Sequence, residues 1–264
     1  MSKPMVVAVL LANGREAMVR RAINSFHKQT YENKRLLVFD TGDDSIGYLG
    51  DYDNVSHHWA DLSLQSWSIG RLRNEANARA LGDADLICHW DSDDWSHPRR
   101  IEEQVALLQA SGKQCVGYRE LLFWDTRFKD DGNPYGNQEA WVLSLPDQRS
   151  MVGASMMYTV DAWRAHPFCD GPRPGADGKL TDYEDNHWLM RNSSQTLGVS
   201  ALDPTRLERF QSGDQIGVDN KPRMICGIHG DRQSGSYDPA TMAKAKDWER
   251  APEWDACCRR IMAL

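Results

Sequence analysis

Residues 5 to 12 read MVVAVLLA, an apolar run with no polar interruption. A run of this kind fits a strand buried on both faces, as in a parallel sheet covered by helices. It ends in the turn Asn13-Gly14-Arg15-Glu16, and Met18, Ala22, Ile23 and Phe26 follow at helical spacing. The pattern then repeats. Lys34 to Asp40 (KRLLVFD) reads as a second strand, and Asn54 to Ala60 as a shorter third. Ile69 to Gly82 reads as a helix stopped by its glycine, and Ala84 to Asp91 as the next buried strand. Past Pro98, Ile101, Val105 and Leu108 mark another helix with proline near its first turn. Alternating strand and helix implies a Rossmann-like α/β fold, a mostly parallel sheet with right-handed crossovers. Ligands of such sheets bind at the carboxyl ends of the strands. Asp40 and Asp91 end two of the predicted strands, so they are expected to face one crevice.

The second half is less regular. Residues 126 to 150, rich in Gly, Pro, Asn and Asp, read as a long loop or hairpin. SMMYTVDAWRAH reads as a strand entering a short helix, DYEDNHWLMRN as a helix, and GVSALDP and LERFQSG as antiparallel strands. No internal repeat or low-complexity linker separates the halves. The 264 residues, 41% of them apolar, are therefore read as one domain spanning 1–264, with halves at about 1–125 and 126–264.

A net charge of −7 disfavours broad electrostatic binding to nucleic acid or an anionic membrane, although a local basic patch stays compatible with it. No apolar stretch reaches the ~18 residues of a spanning helix. The first apolar run is too short and too β-branched for a signal peptide, and no small-residue cleavage site follows it. The six cysteines lack metal-ligand spacing. Reduced thiols in a cytoplasmic protein are the expectation. The ten tryptophans, Trp90 and Trp95 included, are read mainly as packing.

LICHWDSDDWSHPRR, residues 86 to 100, places Asp91, Asp93 and Asp94 at the end of a buried strand. Carboxylates this close repel one another unless a cation or hydrogen bonds compensate. A hard divalent cation, Mg²⁺ or Mn²⁺, takes one or two such carboxylates and completes its shell with phosphate and water, which suits a nucleoside diphosphate. A solvated acidic turn ahead of the Pro98 helix is the structural alternative.

ICHWDSDDWSHPRRIEEQ resembles the Asp-x-Asp segment of family-two glycosyltransferases, which have the A-type nucleotide-sugar fold. VVAVLLANGREAMVRRAINSFHKQTYENKRLLVFDTGDDS resembles that family's opening, GRLRNEA its Gly-x-x-x-Arg-Asn segment, DYEDNHWLMR its Glu-Asp helix start, and ICGIHGDRQSGS its late Arg-x-His segment. In this order the five cover roughly residues 5 to 236. The resemblance implies a metal-dependent glycosyltransferase that moves a sugar, with inversion, from a nucleotide-diphosphate donor of the UDP type. The acceptor hydroxyl could belong to a glycan, a lipid-linked glycan or another molecule. The first half would bind the nucleotide sugar, and the second would supply the acceptor side and the base.

The resemblance also implies roles. Asp40 would accept a hydrogen bond from the uracil imide. Arg73 would lie near base and diphosphate. Asp91, with Ser92 beside it, would contact ribose or metal. Asp93 would ligate the metal, and His229 would approach the metal or diphosphate. In the pair Glu184-Asp185, Asp185 would be the general base. The family's Pro-Thr-Tyr-Asn-Arg after the first strand is here Leu11-Ala12-Asn13-Gly14-Arg15, so backbone groups of Ala12 and Asn13, ahead of Arg15, would have to hold the base. Its Asp-Asp pair is Asp40-Thr41, and the Tyr-Arg before its histidine is Gly227-Ile228. A nucleotidyltransferase acting on a sugar phosphate is an alternative, but it calls for a basic Gly-rich phosphate loop that ANGRE barely provides. A non-catalytic nucleotide-sugar or glycan-binding module is the other alternative, and the presence of Asp93 and Asp185 argues against it.

Overall fold

The first apolar run forms strand β1 (Val6–Ala12). Val6, Ala8 and Leu10 pack with Val19, Ala22, Ile23 and Phe26 of helix α1 (Glu16–His27), while Val7 and Val9 belong to the core on the opposite face. Burial on both sides accounts for the absence of polar alternation. Each large side chain so buried contributes about 1.5–3 kcal/mol. The computed structural model describes residues 3–42, 52–60, 67–82, 84–126, 138–171, 173–174, 180–181, 184–202, 221–228 and 242–263.

Strands β2 (Lys34–Asp40) and β3 (Val55–Trp59) follow, then helix α2 (Ile69–Ala80) and strand β4 (Leu86–His89). All four strands are parallel, in the spatial order β3-β2-β1-β4. Helix α2 sends Leu72, Ala76 and Ala80 into the second core cluster. The short strand β5 (Trp95–Ser96) leads to helix α3 (Arg100–Ser111), which begins just after Pro98 and ends on Gly112 in the left-handed region.

Beyond β4 the sheet becomes mixed. Strand β6 (Cys115–Asp125) pairs antiparallel with β7 (Ala140–Ser144) and with β8 (Met157–Thr159), and β8 joins it to β4, also antiparallel. Helix α4 (Val160–Ala165) continues from β8, as its sequence suggests. The ribbon β9 (Arg173–Pro174) and β10 (Leu180–Thr181) precedes helix α5 (Glu184–Arg191). Strand β11 (Thr196–Ser200) contains the start of GVSALDP. It pairs parallel with β6, not antiparallel as expected, because the chain reaches it through the α4–α5 crossover. LERFQSG lies outside the described residues. Strand β12 (Met224–Ile228) pairs parallel with the far half of β6 and antiparallel with β5. Strand β13 (Trp248–Arg250) edges β7, and helix α6 (Asp255–Met262) closes the last core, its Cys257, Cys258, Ile261 and Met262 packed with Leu122 and Ile225. Among the described residues no helix is long and apolar enough to cross a membrane.

Candidate active site

The exits of β1 and β2 lie side by side, with Ala12 in register with Asp40. The turn after β1 carries Gly14 and Arg15 in the left-handed region, at φ 65° and 59°. Thr41 donates to the Ala12 carbonyl through both its N–H, at 2.9 Å, and its hydroxyl, at 3.2 Å. That carbonyl is therefore already engaged, and Asn13 is the next backbone position of the turn. Asp40 is fully buried. Its Oδ1 accepts from the Gly42 N–H at 2.9 Å, while its Oδ2 has no hydrogen-bond partner among the described residues. His57 on β3 brings Nε2, also unpartnered, to 3.8 Å from that oxygen. A buried carboxylate oxygen without a donor is costly, and it marks a place where a ligand N–H would be favoured.

The carboxylates after β4 divide into two kinds. Asp94 is buried and serves the fold, since its Oδ1 accepts from the Gly227 N–H at 3.1 Å and its Oδ2 from the Cys226 thiol at 3.3 Å. Asp91 and Asp93 remain partly exposed, whereas Ser92 is buried. Arg21 of α1 fixes the turn from behind by donating to the Asp93 carbonyl at 2.9 Å and the Met262 carbonyl at 3.1 Å. Trp90 acts in packing, as expected. Its indole N–H donates to the Ala22 carbonyl at 3.0 Å and its ring meets Phe26 edge-on.

Arg73 on α2 joins this turn to α5. Its Nε donates to Glu184 Oε1 at 2.8 Å, and its Nη2 lies 3.6 Å from Asp91 Oδ1. The guanidinium is buried, which by itself would lower its pKa, but Asp91 and Glu184 more than offset this and raise it. Arg73 thus spans two acidic segments, and its Nη1 is buried without a hydrogen-bond partner among the described residues. The close approach of the helices depends on Gly70, where a Cβ would overlap the Cys169 carbonyl oxygen and come 3.1 Å from Glu184 Cβ. Burial pushes Glu184 up to about 7 against the pull of Arg73. Asp185, the next residue, is also raised, first by burial and further by the negative charge of Asp91. Its Oδ1 accepts from the Asn186 N–H at 2.8 Å, and its carboxylate lies directly over Gly153, in the 3₁₀ turn Gly153–Ser155.

Asp40, Arg73, Asp91, Asp93, Glu184 and Asp185 thus come from the strand exits and helix starts of one crevice side. His229 lies outside the described residues. Among the described residues no group of three or more His, Cys, Asp or Glu forms a complete metal cage. Two partly exposed aspartates on one turn instead fit a hard cation whose remaining ligands come from phosphate and water. Sequence reading passed over Arg21, His89 and Gly153. His89 had a signal, a lone imidazole in the otherwise apolar strand LICH, whereas nothing local marks Gly153.

Comparison with known proteins identifies the family and the fold. The family model described as glycosyl transferase family 2 matches residues 7–191. The chain is 28% identical over 177 residues to EpsE of Bacillus subtilis (strain 168), named as a glycosyltransferase, which covers 64% of this chain and 55% of EpsE. The structure resembles S. aureus TarS 1-349 crystallised with UDP-GlcNAc, with a TM-score of 0.56, 15% identity, and coverage of 86% of this chain and 60% of that one. The crystal structure of TarS 1-349 with UDP gives a TM-score of 0.54 at 15% identity, covering 85% of this chain and 61% of that one. The chain therefore spans between half and two thirds of the length of these relatives. The likeness to TarS establishes the glycosyltransferase A-type fold, and with the match over most of its length the chain belongs to glycosyl transferase family 2.

Proposed function

We propose that this protein transfers a sugar from a UDP-sugar to an acceptor hydroxyl with inversion, aided by a divalent cation held at Asp93 and Asp91. The observation that carries the reading is the convergence of the Asp91–Asp93 turn and Asp185, linked through Arg73 and Glu184, on the same side of the sheet as a buried Asp40 oxygen that lacks a donor.

Asp40 Oδ2 accepts the imide N–H of uracil, which supplies the missing donor. The diphosphate faces Asp91 and Asp93. The cation supplies, when bound, positive charge against the leaving diphosphate. The acceptor hydroxyl attacks the anomeric carbon from the face opposite the diphosphate and passes its proton to Asp185. Glu184 is held by Arg73, so Asp185 is the carboxylate of the pair left for that proton. A single displacement with one base inverts the anomeric centre. The TarS structures with UDP and UDP-GlcNAc are consistent with a uridine donor.

UDP release from UDP-glucose, UDP-galactose and UDP-GlcNAc, with Mn²⁺ and with chelator, tests the reading. Release that requires the metal and is abolished in Asp93→Ala is expected. Metal-independent release, or full activity in Asp93→Ala, overturns it.

A further inference from the structure

A Cβ built on Gly153 would overlap Asp185 Oδ2 and lie 2.6 Å from its Cγ, so the carboxylate occupies the space of the missing side chain. The turn beneath it is held at every residue. The Gly153 carbonyl accepts from His89 Nδ1 at 2.7 Å and from the Met156 N–H at 3.1 Å. Arg100 Nη2 donates to the Ala154 carbonyl at 3.1 Å and to the His89 carbonyl at 3.0 Å. The Ser155 carbonyl accepts from Gln104 Nε2 at 2.7 Å, and the Ser155 hydroxyl accepts from the Tyr118 N–H at 2.7 Å. His89 is buried. Its Nδ1 faces the Gly153 carbonyl, and its Nε2 lies 3.1 Å from the Tyr158 hydroxyl. His89 and Arg100 flank the Asp91–Asp94 turn in sequence. The floor under Asp185 and the end of β4 that leads into the Asp91–Asp93 turn are therefore one hydrogen-bonded body.

We infer that Gly153 is a positioning residue for the transfer step: its missing side chain sets the depth at which Asp185 sits, and His89 locks that seat to the strand end that leads into the Asp91–Asp93 turn. The inference rests on the reading of Asp185 as the base. The backbone at Gly153 lies outside the left-handed region, and the three atoms nearest an added Cβ all belong to Asp185.

Two measurements test it. In thermal unfolding, Gly153→Ala is expected to lower Tm, and Gly153→Ala/Asp185→Gly to recover most of the loss relative to Asp185→Gly, because the three atoms nearest the added Cβ, Asp185 Oδ2, Cγ and Cβ, are then gone. In UDP release with Mn²⁺, using the fastest of the three UDP-sugars, Gly153→Ala is expected to reduce kcat by ~10²-fold, the effect of about 1 Å of misplacement. UDP affinity by calorimetry should stay within about twofold of wild type. Adding Asp185→Asn to Gly153→Ala should cost nothing more. A Gly153→Ala loss as large in Asp185→Gly as in the wild-type protein, or wild-type kcat in Gly153→Ala beside an impaired Asp185→Asn, overturns the inference. If Asp185→Asn itself releases UDP at the wild-type rate, the base assignment fails, and the unfolding cycle still decides whether Gly153 seats Asp185.

Discussion

Arg73 Nε, in the second turn of α2, donates to Oε1 of Glu184, the first residue of α5, at 2.8 Å, two residues 111 positions apart in the chain. Both side chains are buried, and the same guanidinium reaches toward Asp91. One cation therefore serves the turn after β4 and the helix that carries the proposed base. Without it, two buried or half-buried carboxylates would face each other uncompensated.

Breaking that ion pair from one side is expected to be expensive. Arg73→Leu should lose about 3–5 kcal/mol of stability, because Glu184 is left buried and unpaired. Arg73→Leu/Glu184→Leu should recover a large part of it, since an apolar pair of similar volume removes both charges. Urea unfolding of the two variants provides the comparison, and equal losses would show that the pair is not what holds these helices together.

The two kinds of aspartate after β4 should respond differently. Asp94→Ala removes the acceptors of Gly227 and Cys226 and should cost about 1–3 kcal/mol, seen as a lower urea midpoint. Asp93→Ala should leave the midpoint near wild type while abolishing Mn²⁺-dependent UDP release. A stability loss in Asp93→Ala as large as that in Asp94→Ala would undo this division.

Asp40 is expected to select the base. With its Oδ2 unpartnered and fully buried, it gains a bond only from a ligand N–H. Calorimetry with UDP, CDP and GDP should favour UDP. Asp40→Ala should weaken UDP by ~10–100-fold, the ~1.5–3 kcal/mol of a hydrogen bond to a charged group. Equal affinity for the three nucleotides in the wild-type protein would remove the base-reading role.

The pH dependence follows from Asp185. Burial raises its pKa, so it stays protonated to a higher pH than an ordinary aspartate near ~3.9, and a protonated carboxyl cannot accept the proton. UDP release should therefore climb with pH along an acid limb displaced upward from that value. Asp185→Asn should flatten the limb and slow release by ~10²–10⁴-fold. If Glu184→Gln moves the limb and Asp185→Asn does not, the base is Glu184, whose carboxyl burial has pushed up to about 7.

Much of the first half was legible in the chain because its signals are local. MVVAVLLA is apolar throughout since β1 is covered by α1 on one face and α2 on the other, and the strand ends at Asp40 and His89 fall where turn residues take over. Strand β6 escaped because Arg119 and Glu120 interrupt its apolar run at the point where its pairing passes from β11 to β12. The site residues could be named as types at strand and helix ends, but their partners could not. That Asp94 belongs to the fold depends on β12, more than 130 residues away. That Arg73 answers to Glu184, and that Asp185 lies on Gly153, depends on how α5 docks onto the sheet. Periodicity and turn chemistry act within a few residues, so sequence determined the elements and the side chains at their tips. Contacts of high sequence separation exist only once the elements pack, and it was that packing which decided which carboxylates are structural, which are paired, and which stay partly exposed beyond the strand ends.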